Sequence, residues 1–244
     1  MKKKYKLINL NKVVSTNLEL KKLINSKKIK KNLCISAEKQ TNGYGRRSTK
    51  WFSYKGNVHL SIFLKPLCKI EKINQLSFLT TISIGDSLKK IKNNININYK
   101  WPNDILLNKK KIGGVLLETS SNFNRDTKWV IIGLGLNIKK FPLLKNQNIK
   151  ISSMFNEKIN LDKDHFIKIF LETFFENYEN WNRNGFSFIK KKWISNVYKK
   201  DNKIVIKYKN KLVKGELVSL LLNGSIKLKK NNNIKNFYFG DQIV

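Results

Sequence analysis

The chain has 244 residues and a formal net charge of +34 at pH 7, with a pI of about 10.1. This length allows one large domain, or a large and a small one, with a substantial core. Such a charge is typical of proteins that bind nucleic acid or anionic membranes. However, only four of the 50 basic residues are arginines, and lysines occur in every segment. That pattern indicates codon drift in an AT-rich genome, so we expect no specific nucleic-acid partner and no membrane partner.

Cysteine and histidine are scarce. Cys34 and Cys68 stand alone, without CxxC or histidine spacing, and His59 and His165 lie in segments where a structural role is expected. Neither a zinc site nor a disulfide framework is indicated, and we assign no metal ligands. The basic start lacks the apolar stretch of a signal peptide, and no segment reaches the roughly 20 apolar residues of a membrane span. We expect a cytoplasmic protein.

Apolar periodicity predicts a mixed α and β chain. Residues 1–12 form a short first strand or arm, and short alternating strands between 33 and 137 are interleaved with helices at about 16–30 and 71–92. A third helix is predicted at about 162–182. After a break at about 193–201, the segments 204–208, 212–222 and 226–228, with the Asn223-Gly224 hairpin signal, predict a compact all-β unit. The asparagines at 231–233 are interpreted as a polar turn.

Small polar residues precede the first helix. Ser15, Thr16 and Asn17 come just before a periodic apolar segment, and Thr16 with Glu19 has capping-box spacing. A helix start offers free N–H groups and hydroxyls that can face a ligand. Helix capping alone explains Thr16 equally well.

A glycine- and arginine-rich segment precedes the next strand. Gly43 and Gly45 allow backbone N–H groups to approach an anion, and Arg46 and Arg47 add forked donors suited to phosphate oxygens. This combination is typical of a phosphate-binding loop. A basic hairpin tip or a nucleic-acid contact loop has the same composition.

A lysine ends the next predicted strand. Lys100 follows alternating apolar residues, and Pro102 breaks the strand pairing just after it. There the lysine can reach into a cleft as a point charge. Asn103 and Asp104 either support Lys100 or begin a turn.

Glycines also interrupt two apolar strands. They stand at positions 113, 114, 133 and 135. Glycine inside a strand often marks the close approach of a ligand or a second backbone. A bulge or tight packing is the alternative interpretation.

Together these motifs resemble the biotin protein ligase family, and they occur in the family's order. The resemblance implies an α+β catalytic domain at 1–195, a mixed sheet with helices packed on one face, followed by a small SH3-like barrel at 196–244. Because the first motif starts at residue 15, we expect the form without an N-terminal DNA-binding domain. The motifs that carry the resemblance are Ser15-Thr16-Asn17, Gly43-Tyr44-Gly45-Arg46-Arg47, Lys100-Trp101-Pro102-Asn103-Asp104, Lys110 to Glu118, and Gly133 to Asn137.

The resemblance also implies an activity. It is the ATP-dependent ligation of biotin, through biotinyl-5′-adenylate, to one lysine of a biotin carboxyl carrier protein, an acetyl-CoA carboxylase subunit. Biotin and ATP are then substrates, with Mg²⁺ accompanying them. A homodimer is compatible with this, and the sequence does not decide the oligomeric state. Two rivals stay open: a lipoate or octanoyl ligase or transferase of related fold, and a basic RNA-binding module that is not an enzyme.

Site residues follow from the same resemblance. Lys100 and Arg46 are implied as the catalytic residues. Those implied for biotin are Ser15, Thr16, Asn17, Gln40, Gly43, Tyr44, Gly45, Arg46, Trp51, Lys100, Gly114, Gly133, Gly135 and Leu136. Those implied for ATP are Arg46, Arg47, Lys100 and Asn137.

The loop departs from the family's usual GRGRRGRxW. Tyr44 replaces an arginine, Ser48 a glycine and Thr49 a second arginine. The missing cations predict weaker retention of the adenylate, unless the Tyr44 ring closes over the ligand. Some relatives also stack an aromatic residue on adenine. The nearest match, around Ile149, has none, so adenine rests on aliphatic surface or on Phe141 or Phe155.

Overall fold

A seven-stranded mixed sheet is the main layer of the computed structural model, which describes residues 4–27, 29, 32–143, 150–199, 202–209, 211–231 and 233–243. The strand order is β1-β2-β3-β7-β6-β5-β4. Strands β1 and β2 pair in parallel and the other neighbours are antiparallel. The strands are β1 Lys6–Val13, β2 Leu33–Gln40, β3 Val58–Leu64, β4 Ile97–Lys100, β5 Asp104–Leu107, β6 Lys110–Ser121 and β7 Thr127–Leu136.

Helices cover both faces of this sheet. Helix α1 (Thr16–Asn25) buries Leu20 against Phe63 of β3 and Ile131 of β7. The neighbours Ile62 and Ile132 point the other way, as alternation along a strand requires, into the larger core. There they join helices α2 (Gln75–Ile91), α3 (Lys163–Asn184) and α4 (Ser187–Ser195). The expected one-sided packing describes α2 to α4, whereas α1 covers the opposite face because β3 is buried on both sides.

A second, five-stranded antiparallel sheet follows. Its order is β11-β10-β9-β8-β12, and its strands are β8 Ile204–Tyr208, β9 Lys211–Leu220, β10 Ile226–Lys230, β11 Asn233–Phe237 and β12 Asp241–Ile243. The hairpin predicted at Asn223-Gly224 joins β9 to β10, with Gly224 at a φ of 83° that favours glycine. The expected polar turn at 231–233 is wrong at its end, because Asn233 begins β11. The α+β class with a small C-terminal β unit is confirmed.

The second sheet docks on the turn after β4. Gln242 of β12 accepts a hydrogen bond from the Trp101 N–H at 2.9 Å and donates its side-chain amide to the Tyr198 carbonyl at 2.6 Å. The Trp101 indole donates to the Gly224 carbonyl at 3.0 Å. These contacts bring β12 next to the residues that follow Lys100.

Two local expectations are corrected. Helix α1 starts after Ser15, which makes no side-chain capping bond. The capping box is therefore wrong: the Thr16 hydroxyl reaches Gln40 of β2 instead. Helix α4 was not predicted, because it has only nine residues and three consecutive lysines. No helix in the described ranges combines the length and apolar character needed to cross a bilayer.

Candidate active site

A cavity of about 340 Å³ lies between the start of α1, the loop after β2, strands β5 to β7 and strand β12. Most of the residues expected at a site line it. Gly43, Lys100 and Leu136 are not among the residues that line it. The expected residues on the wall are Ser15, Thr16, Asn17, Gln40, Tyr44, Gly45, Arg46, Arg47, Trp51, Gly114, Gly133, Gly135 and Asn137.

One end of the cavity is walled by neutral polar side chains joined by hydrogen bonds. The Asn17 amide donates to Glu118 Oε2 at 2.7 Å, and Asn17 Oδ1 accepts from the Ser61 hydroxyl at 2.5 Å. Ser61 Oγ also lies 2.7 Å from Thr16 Oγ1. Asn17, Ser61 and Thr16 are buried. Their orientations are therefore fixed by their own contacts, which suits a ligand with a neutral polar group.

The chain of contacts continues into the loop after β2. Gln40 Oε1 accepts from the Thr16 N–H at 2.9 Å, and Gln40 Nε2 donates to Ser53 Oγ at 3.0 Å. A Cβ on Gly43 would lie 2.8 Å from Gln40 Nε2. Gly43 thus contributes by letting the backbone pass close behind Gln40 rather than by touching a ligand.

Two strand glycines form the floor of this end. A Cβ at Gly133 would lie 2.7 Å from Asn17 Oδ1, and one at Gly135 would overlap the Trp51 indole. Close approach of other side chains, the tight-packing alternative, therefore requires glycine at both positions. Trp51 Nε1 is buried without a hydrogen-bond partner in the described ranges. It is a donor available to a ligand.

Two lysines meet at one carboxylate on the opposite side. Lys100 Nζ donates to Asp104 Oδ2 at 3.1 Å, and Lys111 Nζ lies 2.7 Å from Asp104 Oδ1. Burial alone would raise the pKa of Asp104, but the ammonium groups of Lys111 and Lys100 outweigh it and hold the pKa below its usual range. Of the two open roles for Asp104, the structure shows the support of Lys100.

Two arginines of the loop pair with the second sheet. Arg46 Nη1 lies 2.9 Å from Asp241 Oδ1, and Arg47 Nη1 lies 2.8 Å from Asp241 Oδ2. Arg46 also donates to Asn103 Oδ1 at 3.3 Å. A carboxylate therefore occupies the guanidinium groups that a phosphate would use.

The backbone of this loop is strained. Arg47 and Ser48 have φ of 51° and 58°, in the left-handed region that favours glycine. Ser48 stands where the GRGRRGRxW pattern has glycine. The departure from GRGRRGRxW thus has a conformational cost as well as a loss of charge.

A polar residue with an unused acceptor marks the third side of the cavity. Asn137 Nδ2 donates to the Ser152 carbonyl at 3.1 Å, whereas its Oδ1 is buried without a partner in the described ranges. Pro142 and Ile151 line the wall nearby, and neither Phe141 nor Phe155 does. Ile149 lies outside the described residues. Among the described residues, Pro142 and Ile151 thus offer an aliphatic surface on this wall.

Tyr44 lies on the wall, and its hydroxyl donates to Glu118 Oε2 at 2.9 Å. Burial, and then the hydrogen bond to the Glu118 carboxylate, raise the pKa of Tyr44 well above its ordinary value. Tyr44 is therefore a neutral donor at all ordinary pH values. Its ring covers part of the cavity in place of a cation.

The residues that sequence reasoning missed include five whose side chains hold other residues of the site: Ser53, Ser61, Lys111, Glu118 and Asp241. Ser61 had a signal, since it is a small polar residue inside the apolar strand Val58–Leu64, and it proves fully buried. Glu118 had a weaker one, as an acidic residue after an apolar run. Asp241 had none, because only the docking of the second sheet brings it to the loop.

The fold and the cavity together define an α+β protein with a ligand site that has a neutral polar end and a cationic end. The model of the Biotin/lipoate A/B protein ligase family matches residues 10–137, more than half of the chain. The chain belongs to that family.

Named relatives agree with this membership. The chain is 32% identical over 213 residues to the bifunctional ligase/repressor BirA of Bacillus subtilis, covering 85% of this chain and 64% of that protein. It thus spans less than two thirds of that relative. It is 33% identical over 129 residues to a biotin–[acetyl-CoA-carboxylase] ligase of Paracoccus denitrificans, covering 52% of each.

A solved structure extends the likeness to the second sheet. The biotin protein ligase of Aquifex aeolicus in complex with biotin and ATP superposes with a TM-score of 0.82 at 25% identity, covering 97% of both chains. Nearly all of the chain, including the second sheet, therefore has a counterpart in that structure.

Proposed function

We propose that this protein is an ATP-dependent biotin protein ligase. It joins biotin to ATP, giving biotinyl-5′-adenylate and pyrophosphate, and then transfers the biotinyl group to a lysine of a biotin carboxyl carrier protein. The single observation that carries the proposal is a cavity with a fixed neutral polar end beside four converging cations. The names of the relatives, and the biotin and ATP of the Aquifex complex, support it.

The two ends have separate tasks in this reaction. Ser15, Thr16, Asn17 and Gln40 hold the ureido ring of biotin through hydroxyl, amide and N–H groups. Gly133 and Gly135 leave room for the rings of biotin. The other residues implied for biotin enclose the side chain that carries its carboxylate. Biotin's carboxylate then points toward the cationic end.

The cationic end activates that carboxylate. A carboxylate is a poor acyl donor, and adenylation gives it a good leaving group once phosphate charge is neutralised and water is excluded. In the proposal Lys100 and Arg46 contact the reacting carboxylate and α-phosphate, and Arg47 the outer phosphates. Asn137 contacts adenine through its unpaired Oδ1. Lys100 exchanges Asp104 for the ligand, and Asp104 keeps Lys111.

Magnesium enters this proposal only with the nucleotide. Within the described residues no three His, Cys, Asp or Glu side chains cluster as metal ligands. Asp104 and Asp241 are each held by two cations already. These residues do not fit a metal held by the protein, so Mg²⁺ accompanies ATP on its phosphates, as it commonly does.

The domain boundary, partner and location complete the proposal. Residues 1–195 form the catalytic domain and 196–244 the SH3-like domain, supported by a second sheet that starts at Ile204. The partner is the carrier subunit of acetyl-CoA carboxylase, and the free thiols Cys34 and Cys68 suit the cytoplasm.

A homodimer would use the outer edge of β1, which pairs with no strand among the described residues. Sedimentation measures that state.

The decisive experiment is pyrophosphate exchange with purified protein, which tests the first half-reaction without knowing the carrier. We expect exchange that depends on biotin and not on lipoate or octanoate. Exchange with lipoate or octanoate alone would favour the related acyl ligases. No exchange with any acid, together with RNA affinity that falls steeply with salt, would favour the RNA-binding module.

A further inference from the structure

Glu118 of β6 joins three parts of the molecule. Its Oε2 accepts hydrogen bonds from the Asn17 amide at 2.7 Å and from the Tyr44 hydroxyl at 2.9 Å. Its Oε1 accepts from Lys21 Nζ at 2.5 Å. The side chain is only 21% exposed. Helix α1 and the loop after β2 are therefore both tied to one carboxylate on the sheet.

We propose that Glu118 is a positioning residue that orients Asn17 and, through Tyr44, latches the loop over the cavity. This inference rests on the proposed function and deepens it. It assigns to Tyr44 and Glu118 the retention of the adenylate that the missing loop arginines would otherwise provide.

The Asn17 part follows from hydrogen-bond chemistry. An ionised carboxylate only accepts, so Glu118 requires the NH₂ side of the Asn17 amide. Asn17 Oδ1 is then turned to Ser61, as the 2.5 Å contact shows. Without Glu118 the two orientations of the amide differ little, and the wall that faces the ligand loses its fixed pattern of donors and acceptors.

The Tyr44 part follows from the position of that residue in the loop. Gly45 and Arg46 come directly after it, so a bond from Tyr44 to the sheet holds the first arginine over the cavity. A bond from a phenol to an ionised carboxylate is stronger than one between neutral groups. Tyr44 is protonated at neutral pH, as tyrosines ordinarily are, and burial raises its pKa further.

The wall and the latch also share one atom. Asn17 and Tyr44 both donate to Glu118 Oε2. A ligand that hydrogen-bonds to Asn17 changes how strongly its amide donates to Glu118 Oε2, and hence how strongly that oxygen holds Tyr44. Occupancy of the neutral end and closure of the loop are thus coupled through Glu118.

A double-mutant cycle tests the inference. Tyr44→Phe, Glu118→Ala and the double variant are compared for release of biotinyl-adenylate formed in the enzyme. We expect each single change to speed release about tenfold, equivalent to about 1.4 kcal/mol, and the double change to add little more. Effects that multiply, or an unchanged rate for Tyr44→Phe, would overturn the latch. If Glu118→Ala melts below the assay temperature, Glu118→Met takes its place, because it keeps the length of the side chain without an oxygen that could accept from Tyr44.

Two further variants separate the latch from a general structural effect. Tyr54→Phe removes a hydroxyl from the same segment that makes no hydrogen bond in the described ranges, and it should leave release unchanged. Tyr44→Arg supplies a guanidinium to Glu118 and should release as slowly as the parent or more slowly. Fast release from Tyr44→Arg would contradict the inference.

A ligand-free measurement keeps the inference distinct from the proposed function. Trypsin cleaves after Arg46 and Arg47 when the loop opens. We expect Tyr44→Phe and Glu118→Ala to be cut several-fold faster than the parent, and Tyr54→Phe at the parent rate. If the parent shows no biotin-dependent exchange, the proposed function fails while the cleavage rates still decide the latch. Equal cleavage of all variants would rule the latch out.

Discussion

The two ends of the cavity are held in place in different ways. At the neutral end, Thr16, Asn17 and Ser61 are buried and bond to one another and to Gln40. At the cationic end, arginines and lysines pair with Asp241 and Asp104, and Arg47 is 63% exposed. Under the proposed function the neutral contacts persist when biotin binds, whereas the ionic ones are exchanged for contacts with phosphate.

The difference agrees with what each end is proposed to bind. A neutral ring gains most from a wall whose donors and acceptors are already oriented, because no rearrangement is needed on binding. A cluster of cations without a counter-ion would repel itself, so carboxylates hold it until the ligand supplies its own charge.

The largest effect is expected from Lys100→Ala at the cationic end. Loss of a shielded cation that stabilises transition-state charge costs roughly 3–4 kcal/mol, or about 10²–10³ in rate. Biotin-dependent pyrophosphate exchange should fall by that factor while the melting temperature changes little, since Lys111 still pairs with Asp104. Lys128→Ala, an exposed lysine of β7, is the control. Equal exchange by the two variants would remove Lys100 from the site.

The next effect concerns acid, and it comes from a buried histidine beneath the neutral end. His59 pairs with Gly135 across the sheet. Burial lowers its pKa from 6.5 to about 4, although the hydrogen bond with the Tyr54 carbonyl opposes this. Between pH 6.5 and about 4, His59 is therefore protonated in the unfolded chain but not in the folded one. The contribution of His59 to the free energy of unfolding is therefore fully present above pH 6.5 and is lost as pH falls toward 4.

The contribution of His59 is at most about 3 kcal/mol at 1.36 kcal/mol per pKa unit. His59→Gln should make the free energy of unfolding fall less steeply between pH 6.5 and 4. The decrease in slope should correspond to about one bound proton. Urea unfolding at several pH values measures it. The exposed His165→Gln should behave as the parent. A slope that His59→Gln leaves unchanged would show that another group dominates.

The neutral end is tested by Ser61→Ala, which leaves Asn17 Oδ1 without its donor. Leaving a buried acceptor unpaired costs about 1–3 kcal/mol. We expect KM for biotin to rise about tenfold or more with KM for ATP unchanged, because the cationic end is untouched. Ser87→Ala removes another buried hydroxyl, in α2, and serves as the control. A parallel rise in both KM values would indicate a general loss of structure instead.

How far the sequence predicts this site depends on the origin of each contact. Gly133, Gly135 and Arg46 carry their own signal, because glycine in a strand and paired arginines after glycines are unusual locally. Lys100 is one lysine among many, and only its place in the motif from Lys100 to Asp104 distinguishes it. Thr16 misled, since its spacing from Glu19 fits a cap, whereas a distant Gln40 takes its hydroxyl. Tertiary packing overrode a correct local pattern.

The fold shows the same limit. Strands β3, β6 and β7 have apolar runs long enough to identify, and the hairpin at Gly224 is fixed by its turn residues. Strand β11 is mostly exposed and rich in asparagine and lysine, so no alternation marks it. Strand β11 forms because β10 offers an edge with which it can pair. The energy of this pairing depends on the neighbouring strand, so the sequence of β11 alone does not indicate it.

The smallest effect is expected from Asp241→Asn, which weakens the ionic hold on the loop. Pairs as exposed as Arg47 with Asp241 contribute about 0.2–1 kcal/mol and are screened by salt. Without ligand, tryptic cleavage after Arg46 and Arg47 should therefore be about threefold faster than in the parent at low salt, a ratio that corresponds to about 0.65 kcal/mol. At about 1 M salt the parent should approach the variant, because its own pairs are then screened. Asp164→Asn, an exposed acid of α3 remote from the loop in sequence, should match the parent throughout. If the difference in cleavage rate between Asp241→Asn and the parent persists at high salt, Asp241 holds the loop through the packing of β12 rather than through charge. The cationic end would then not be held by ion pairs, contrary to the difference between the two ends described above.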